Sequence, residues 1–151
     1  MSVEQRLAEL GITVPEVVPP VAAYVPAVRT GNLIYTSGQL PARDGEMIAV
    51  GKLGGAVDEE AGYECARQCA LNALAAIKAE IGSLDQVKRV VKAVVFVAST
   101  PEFTGQPKVA NGASEFLGEV FGDAGKHARS AVGVPVLPLD VPVEVELIVE
   151  V

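Results

Sequence analysis

Apolar positions change period several times along the chain, and each change predicts a different element. The last ten residues, Pro142-Val-Glu-Val-Glu-Leu-Ile-Val-Glu-Val151, alternate: Val143, Val145, Leu147, Val149 and Val151 share one face, and Glu144, Glu146, Ile148 and Glu150 the other. That is a strand with one buried face and a row of carboxylates opposite. Residues 87–98 are rich in valine and lie between breakers, which predicts a second long strand. Its apolar side reads Val91, Ala93, Val95 and Val97, with Lys88 and Lys92 on the other. Nearer the start, residues 23–28 and 33–39 flank a Thr30-Gly-Asn32 turn and predict a hairpin, ended by Pro41 and an Arg43-Asp-Gly45 turn. Residues 46–50 follow as a short third strand.

Elsewhere the period is helical. Ser2-Val-Glu-Gln5 has the form of a capping box, and Leu7, Leu10 and the stop at Gly11 complete a short N-terminal helix. Pro15, Pro19 and Pro20 then make an extended connector. From Asp58, a candidate N-cap, to Ile81 before the stop at Gly82, residues Ala66, Cys69, Ala70, Ala73, Leu74, Ile77 and Ile81 fall on one side. Ser83-Leu-Asp-Gln86 repeats the capping-box pattern over a short turn. Residues 107–121 read as a second long helix, with Val109, Phe116, Leu117, Val120 and Phe121 as its stripe and Gly122 as its end. Two long helices among about six strands do not alternate as a doubly wound sheet requires. The expected architecture is α+β: one mixed β-sheet with both long helices on one face. It forms a single domain over residues 1–151, in which residues 1–21 supply the short helix and the connector. The bare face of the sheet then needs cover, which self-association supplies.

Composition strengthens that last point. Half of the 151 residues are hydrophobic and 21% are charged, a surplus of apolar surface that suits subunit contacts. No run of about 18 apolar residues marks a membrane span. The start, Met1-Ser-Val-Glu-Gln-Arg6, lacks the basic beginning and apolar centre of a signal peptide. Cys65 and Cys69, four apart on a helix, are poorly placed for a mutual disulfide, so a reducing cytoplasmic setting is expected. With 12 Lys and Arg against 19 Asp and Glu, the net charge is −7, the wrong sign for gripping a phosphate backbone. Nucleic acid is therefore not expected as a partner.

Arg129 is the most informative polar residue. It opens a strand of otherwise small or apolar residues, with Ala131 and Gly133 on its own side and Ser130, Val132 and Val134 on the other. Its guanidinium is a permanently charged planar fork suited to a carboxylate or phosphate. The plain alternative is a rim arginine paired with a surface carboxylate. Taken with the carboxylate row of the last strand, reached through Leu137-Pro-Leu-Asp140, it predicts a small-anion site. Gly51-Lys-Leu-Gly-Gly55 lacks the Gly-Lys-Ser/Thr ending of a P-loop and reads as an ordinary flexible loop. Cys65, Cys69 and the single His127 are too few and too badly spaced for a structural zinc, and no dinucleotide fingerprint is present, so no metal and no cofactor are expected. His127 has no serine or acid partner at a recognisable spacing. Tyr24, Ser37, Gly38, Asn111 and Glu144 stand in apolar company, each with a plainer structural reading: an edge-strand aromatic, a bulge at Ser37-Gly38, a solvated helix position and a solvated strand carboxylate.

Together these segments resemble the RidA family, the reactive-intermediate (enamine/imine) deaminases also called YjgF or L-PSP proteins. The resemblance runs from about residue 22 to residue 151. It is carried by Tyr24-Val25, Gly31-Asn-Leu-Ile-Tyr-Thr-Ser-Gly-Gln-Leu-Pro41, Val109-Ala-Asn111, Ala128-Arg-Ser-Ala-Val132, Leu137-Pro138 and Val143-Glu-Val-Glu146. It implies a chorismate-mutase-like α+β fold and a homotrimer with three sites between subunits. It also implies hydrolytic deamination of 2-imino acids to 2-keto acids and ammonia, with no cofactor. In that scheme Arg129 holds the substrate carboxylate, Tyr24, Ser37, Gly38 and Asn111 line the pocket, and Glu144 sits beside the attacking water. Two other activities of such proteins are kept as alternatives: a non-catalytic trimer binding small carboxylates, and a ribonuclease or translation inhibitor, against which the acidic charge counts. The chain also departs from the pattern. Ala131 stands where many members carry a cysteine, Gly133 and Pro135 replace bulkier residues, and the N-terminal helix and the Gly51-to-Gly55 insertion mark a longer branch.

Overall fold

The computed structural model describes residues 1–17, 20 and 22–151. In chain order the elements are α1 (Val3–Glu9), β1 (Ala27–Thr30), β2 (Leu33–Thr36), β3 (Ala42–Arg43), β4 (Glu46–Met47), α2 (Glu59–Ile81), β5 (Arg89–Ala98), α3 (Gln106–Phe121), β6 (Ala128–Val134) and β7 (Val143–Glu150). Five strands form one sheet in the order β1-β2-β7-β5-β6, with β5 and β6 parallel and the other pairs antiparallel. The chain is α+β, a mixed sheet with both long helices on one face, as the pattern predicts.

The strand at the centre of the sheet shows why. Along β7 the alternation is complete: Val143, Val145, Leu147 and Val149 are buried beneath the helices, and Glu144, Glu146, Ile148 and Glu150 are only partly covered on the open face. Each fully buried aliphatic side chain of this kind contributes about 1.5–3 kcal/mol relative to exposure. α2 lies over β7, and α3 lies over β5 and β6. Their alanines and glycines let them approach closely: a Cβ on Gly112 would overlap the carbonyl of Tyr63, so α3 meets α2 backbone to backbone. Asp58 caps α2 by accepting from the Ala61 N–H at 2.8 Å, and Gly82 ends it. The capping box at Ser2 and Gln5 is present in both directions. α1 is fastened to both long helices, since Leu7 is buried, Glu4 pairs with Lys78 at 3.0 Å, and Arg6 donates to the Glu119 carbonyl.

Several expectations need correction. The first strand is residues 27–30, not 23–28, because Pro26 has no N–H for the ladder; Tyr24 precedes the strand and is 58% exposed. Strand 33–39 stops at Thr36, and pairing resumes only at a single bridge between Gln39 and Val145. In the gap Thr36 Oγ accepts from the Leu147 N–H at 3.0 Å, so the side chain replaces a ladder bond. Residues 46–50 contribute only β4, which pairs with β3 in a separate hairpin across Asp44 and Gly45, both at positive φ. A bulge between Val90 and Lys92 makes Val90, not Val91, the buried residue; the odd-numbered face holds from Ala93 onward. At Ser83 only half of the capping box forms: its side chain accepts from Asp85, and Gln86 turns to the Ile81 carbonyl. The Gly51-to-Gly55 segment is pinned rather than loose. Leu53 is fully buried and exchanges backbone hydrogen bonds with Ala98 and Thr100, and Lys52 pairs with Asp140 at 2.9 Å. Of the proline connector, Pro19 lies outside the described residues.

Candidate functional site

Arg129, the second residue of β6, pairs with Ala93, a residue of the helix-covered face, so its side chain is directed toward α3. There its Nη1 donates to Asn111 Oδ1 at 2.8 Å and to Ser114 Oγ at 3.2 Å. Asn111 and Ser114 are three apart on α3 and therefore neighbours on one helix surface. Ser114 also contacts His127 Nε2 at 2.9 Å, and His127 Nδ1 lies 2.6 Å from the Gly125 carbonyl. Among the described residues, the half-buried guanidinium pairs with no carboxylate, and its Nε and Nη2 have no hydrogen-bond partner. The rim-pair alternative for Arg129 therefore does not hold. Nor does the expectation that His127 lacks a serine partner: Ser114 is that partner. The sequence carried a usable signal, since Asn111 and Ser114 repeat at i, i+3 and His127 and Arg129 at i, i+2.

A second group forms around β7. Glu144 pairs in register with Phe96 and faces away from the helices. Its carboxylate packs on Gly38, where a Cβ would overlap Glu144 Oε2. Only glycine leaves that space. Burial, and then the Glu146 carboxylate, push the Glu144 carboxyl up from the ordinary glutamate range. Ser37 Oγ donates to the Val25 carbonyl at 2.6 Å, and its N–H donates to Pro26, so Ser37 ties the segment carrying Tyr24 to the end of β2. The bulge reading of Ser37-Gly38 fits this local geometry.

Within one chain the six residues singled out thus divide into two groups. Arg129 and Asn111 sit on the helix side of the sheet, and Tyr24, Ser37, Gly38 and Glu144 belong to the other group. The strands of Arg129 and Glu144 are not neighbours, because β5 lies between them. The expected anion site from Arg129 and the adjacent carboxylate row is therefore not formed inside a single chain. Two surface clefts, one of about 260 Å³ beside Arg43 and Arg67 and one of about 180 Å³ beside Tyr35 and Glu146, include neither Arg129 nor Glu144. The open face carries exposed apolar side chains at Val28, Tyr35 and Val132. Cys65 and Cys69 are fully buried on α2, and burial first of all pushes the Cys65 thiol up to about 11 and that of Cys69 well above its usual value. No cluster of three metal-ligating side chains occurs among the described residues. No helix of the described chain is long and apolar enough to cross a membrane.

A mixed sheet with both long helices on one face, ordered in this way, is the chorismate-mutase-like α+β class. A family model described as "YjgF/chorismate mutase-like, putative endoribonuclease" matches residues 4–151, and the chain belongs to this RidA/YjgF family. It is 46% identical to the protein TCP17 of Trypanosoma cruzi over 149 residues, covering 98% of this chain and 93% of the relative. It is 31% identical to a 2-iminobutanoate/2-iminopropanoate deaminase of Dermatophagoides farinae over 140 residues, 91% of this chain and 93% of that one. The solved structure of Atu1372 from Agrobacterium tumefaciens superposes with a TM-score of 0.92 at 45% identity, covering 99% of this chain and 92% of that one.

Proposed function

We propose that the protein hydrolyses reactive 2-imino acids, and their enamine tautomers, to 2-keto acids and ammonia, as a homotrimer whose sites lie between subunits. The observation that carries this reading is the half-buried Arg129 guanidinium, which is anchored by two neutral oxygens and, among the described residues, pairs with no carboxylate. Such a group is ready for a carboxylate supplied from outside. The similarity to the D. farinae deaminase supports the reaction class.

The chemistry asks little more of the protein. A protonated imine carbon is already electrophilic. Arg129 and Asn111 of one protomer hold the substrate, and Gly38 and Glu144 of the next complete the pocket, with Ser37 and Tyr24 along its wall. Ionised Glu144 accepts a proton as water adds to the carbon, forming the C–O bond of a carbinolamine. It then returns the proton to the nitrogen and takes the hydroxyl proton as the C–N bond breaks and the C=O bond forms. Ammonia leaves and carries that proton away as ammonium, and the 2-keto acid is released. A carboxyl with a raised pKa is a better base than an ordinary glutamate. The exposed Val28, Tyr35 and Val132 suit burial against a second subunit. The resemblance gives no reason to invoke a cofactor.

The test generates the imine with an amino acid oxidase and follows its disappearance with and without the protein. Faster loss that Arg129→Ala abolishes supports the proposal. Unchanged decay across several imino acids, with 2-keto acid binding retained, would instead favour the carboxylate-binding trimer.

A further inference from the structure

We infer that Ser114 and His127 are positioning residues that orient the Arg129 guanidinium so that it takes a carboxylate side-on, through Nε and Nη2. This rests on the reading of Arg129 as the carboxylate clamp and adds a pair of residues to it.

The polarity of the hydrogen bonds carries the inference. The Gly125 carbonyl has only lone pairs to offer, so the 2.6 Å contact is a donation from His127 Nδ1–H. In the neutral ring that leaves Nε2 as an acceptor, which receives the Ser114 hydroxyl proton at 2.9 Å. The Ser114 oxygen then turns a lone pair to Arg129 Nη1 at 3.2 Å, beside the Asn111 oxygen at 2.8 Å. Both Nη1 hydrogens are committed. Three of the five guanidinium donors remain, one on Nε and two on Nη2, and the two that lie parallel along the Nε–Nη2 edge match the oxygens of one carboxylate.

The far end of the chain is fixed as well. Gly125 is buried against α3, where a Cβ would overlap the Leu117 carbonyl, so the carbonyl that sets the histidine tautomer does not drift. A free arginine in this place would lose several rotatable bonds on binding; one already held at Nη1 loses fewer.

The experiment measures pyruvate binding by calorimetry, and the Arg129 Nη resonances by 15N NMR, in the wild type, Ser114→Ala, His127→Phe, the double variant and Arg129→Ala. The expected result is that Arg129→Ala abolishes binding and each single variant weakens it about tenfold. The double variant should be no worse than either single one, because both break the same chain. The Nη1 and Nη2 signals, separate in the wild type while rotation is hindered, should merge in each Ser114 and His127 variant. If Arg129→Ala abolishes binding while the other variants bind like the wild type and keep separate signals, the positioning inference is overturned and the clamp stands. If the wild type binds no pyruvate, or Arg129→Ala binds equally well, the clamp fails and the side-on edge fails with it.

Discussion

Arg129 and Glu144 stand on opposite faces of the same sheet, with β5 between their strands. Arg129 is in register with Ala93, which faces the helices, and Glu144 is in register with Phe96, which does not. No side-chain rotation brings one to the other across a packed sheet. A site that uses both residues, as proposed above, therefore needs a second copy of the chain to supply the missing half.

Gly38 is the simplest place to disturb the Glu144 half alone. Gly38→Ala forces the carboxylate aside while leaving the core untouched, because the atom in the way is the tip of a side chain. Imine turnover is expected to fall about 10- to 100-fold, the usual effect of misplacing a reacting group by an ångström. Thermal melting should stay close to wild type. Equal activity in the two proteins would show that the Glu144 carboxylate need not sit where Gly38 allows it.

Glu144 itself should cost stability. A carboxyl whose pKa is higher in the fold than in the unfolded chain contributes its full stability below the ordinary glutamate value of about 4.3, and loses it as pH rises through the raised folded value. At neutral pH the fold therefore bears a disfavoured charge. Glu144→Gln should melt higher than wild type at pH 7.5, equal it at pH 3.5, and lose imine turnover. A variant that melts lower at pH 7.5 would contradict the burial argument.

The two cysteines should be inert in the folded protein. Both thiols are buried and their pKa values are pushed up, so little thiolate is present at pH 8. Ellman's reagent at that pH should react with neither until denaturant is added, then with both. Rapid labelling of the native protein would mean that α2 opens locally far more readily than its packing indicates.

The sequence revealed more of the fold than of the site, and the reason is physical. Burial writes a period into the chain, so β7, α2 and α3 could be read from their apolar stripes and caps. Features without a period were misread: the bulge at Val91, which shifts the face of β5 by one, and Pro26, which shortens β1. Arg129, Asn111, Gly38 and Glu144 were singled out as unusual residues, but strand order decides which of them meet. The intervening β5 was not visible in the Leu137-Pro-Leu-Asp140 connection. Ser114 escaped because a serine within a helix is unremarkable until the fold carries His127 back across α3.

The proposed sharing of the site between subunits can be tested directly by mixing two inactive proteins. Arg129→Ala keeps the Glu144 half, and Glu144→Gln keeps the Arg129 half. In trimers reassembled at random from equal amounts, about one interface in four joins two intact halves. The mixture should therefore recover about a quarter of wild-type imine turnover, although neither variant alone is active. A mixture as inactive as its components, with mixed trimers demonstrated by mass, would contradict a site built from two subunits.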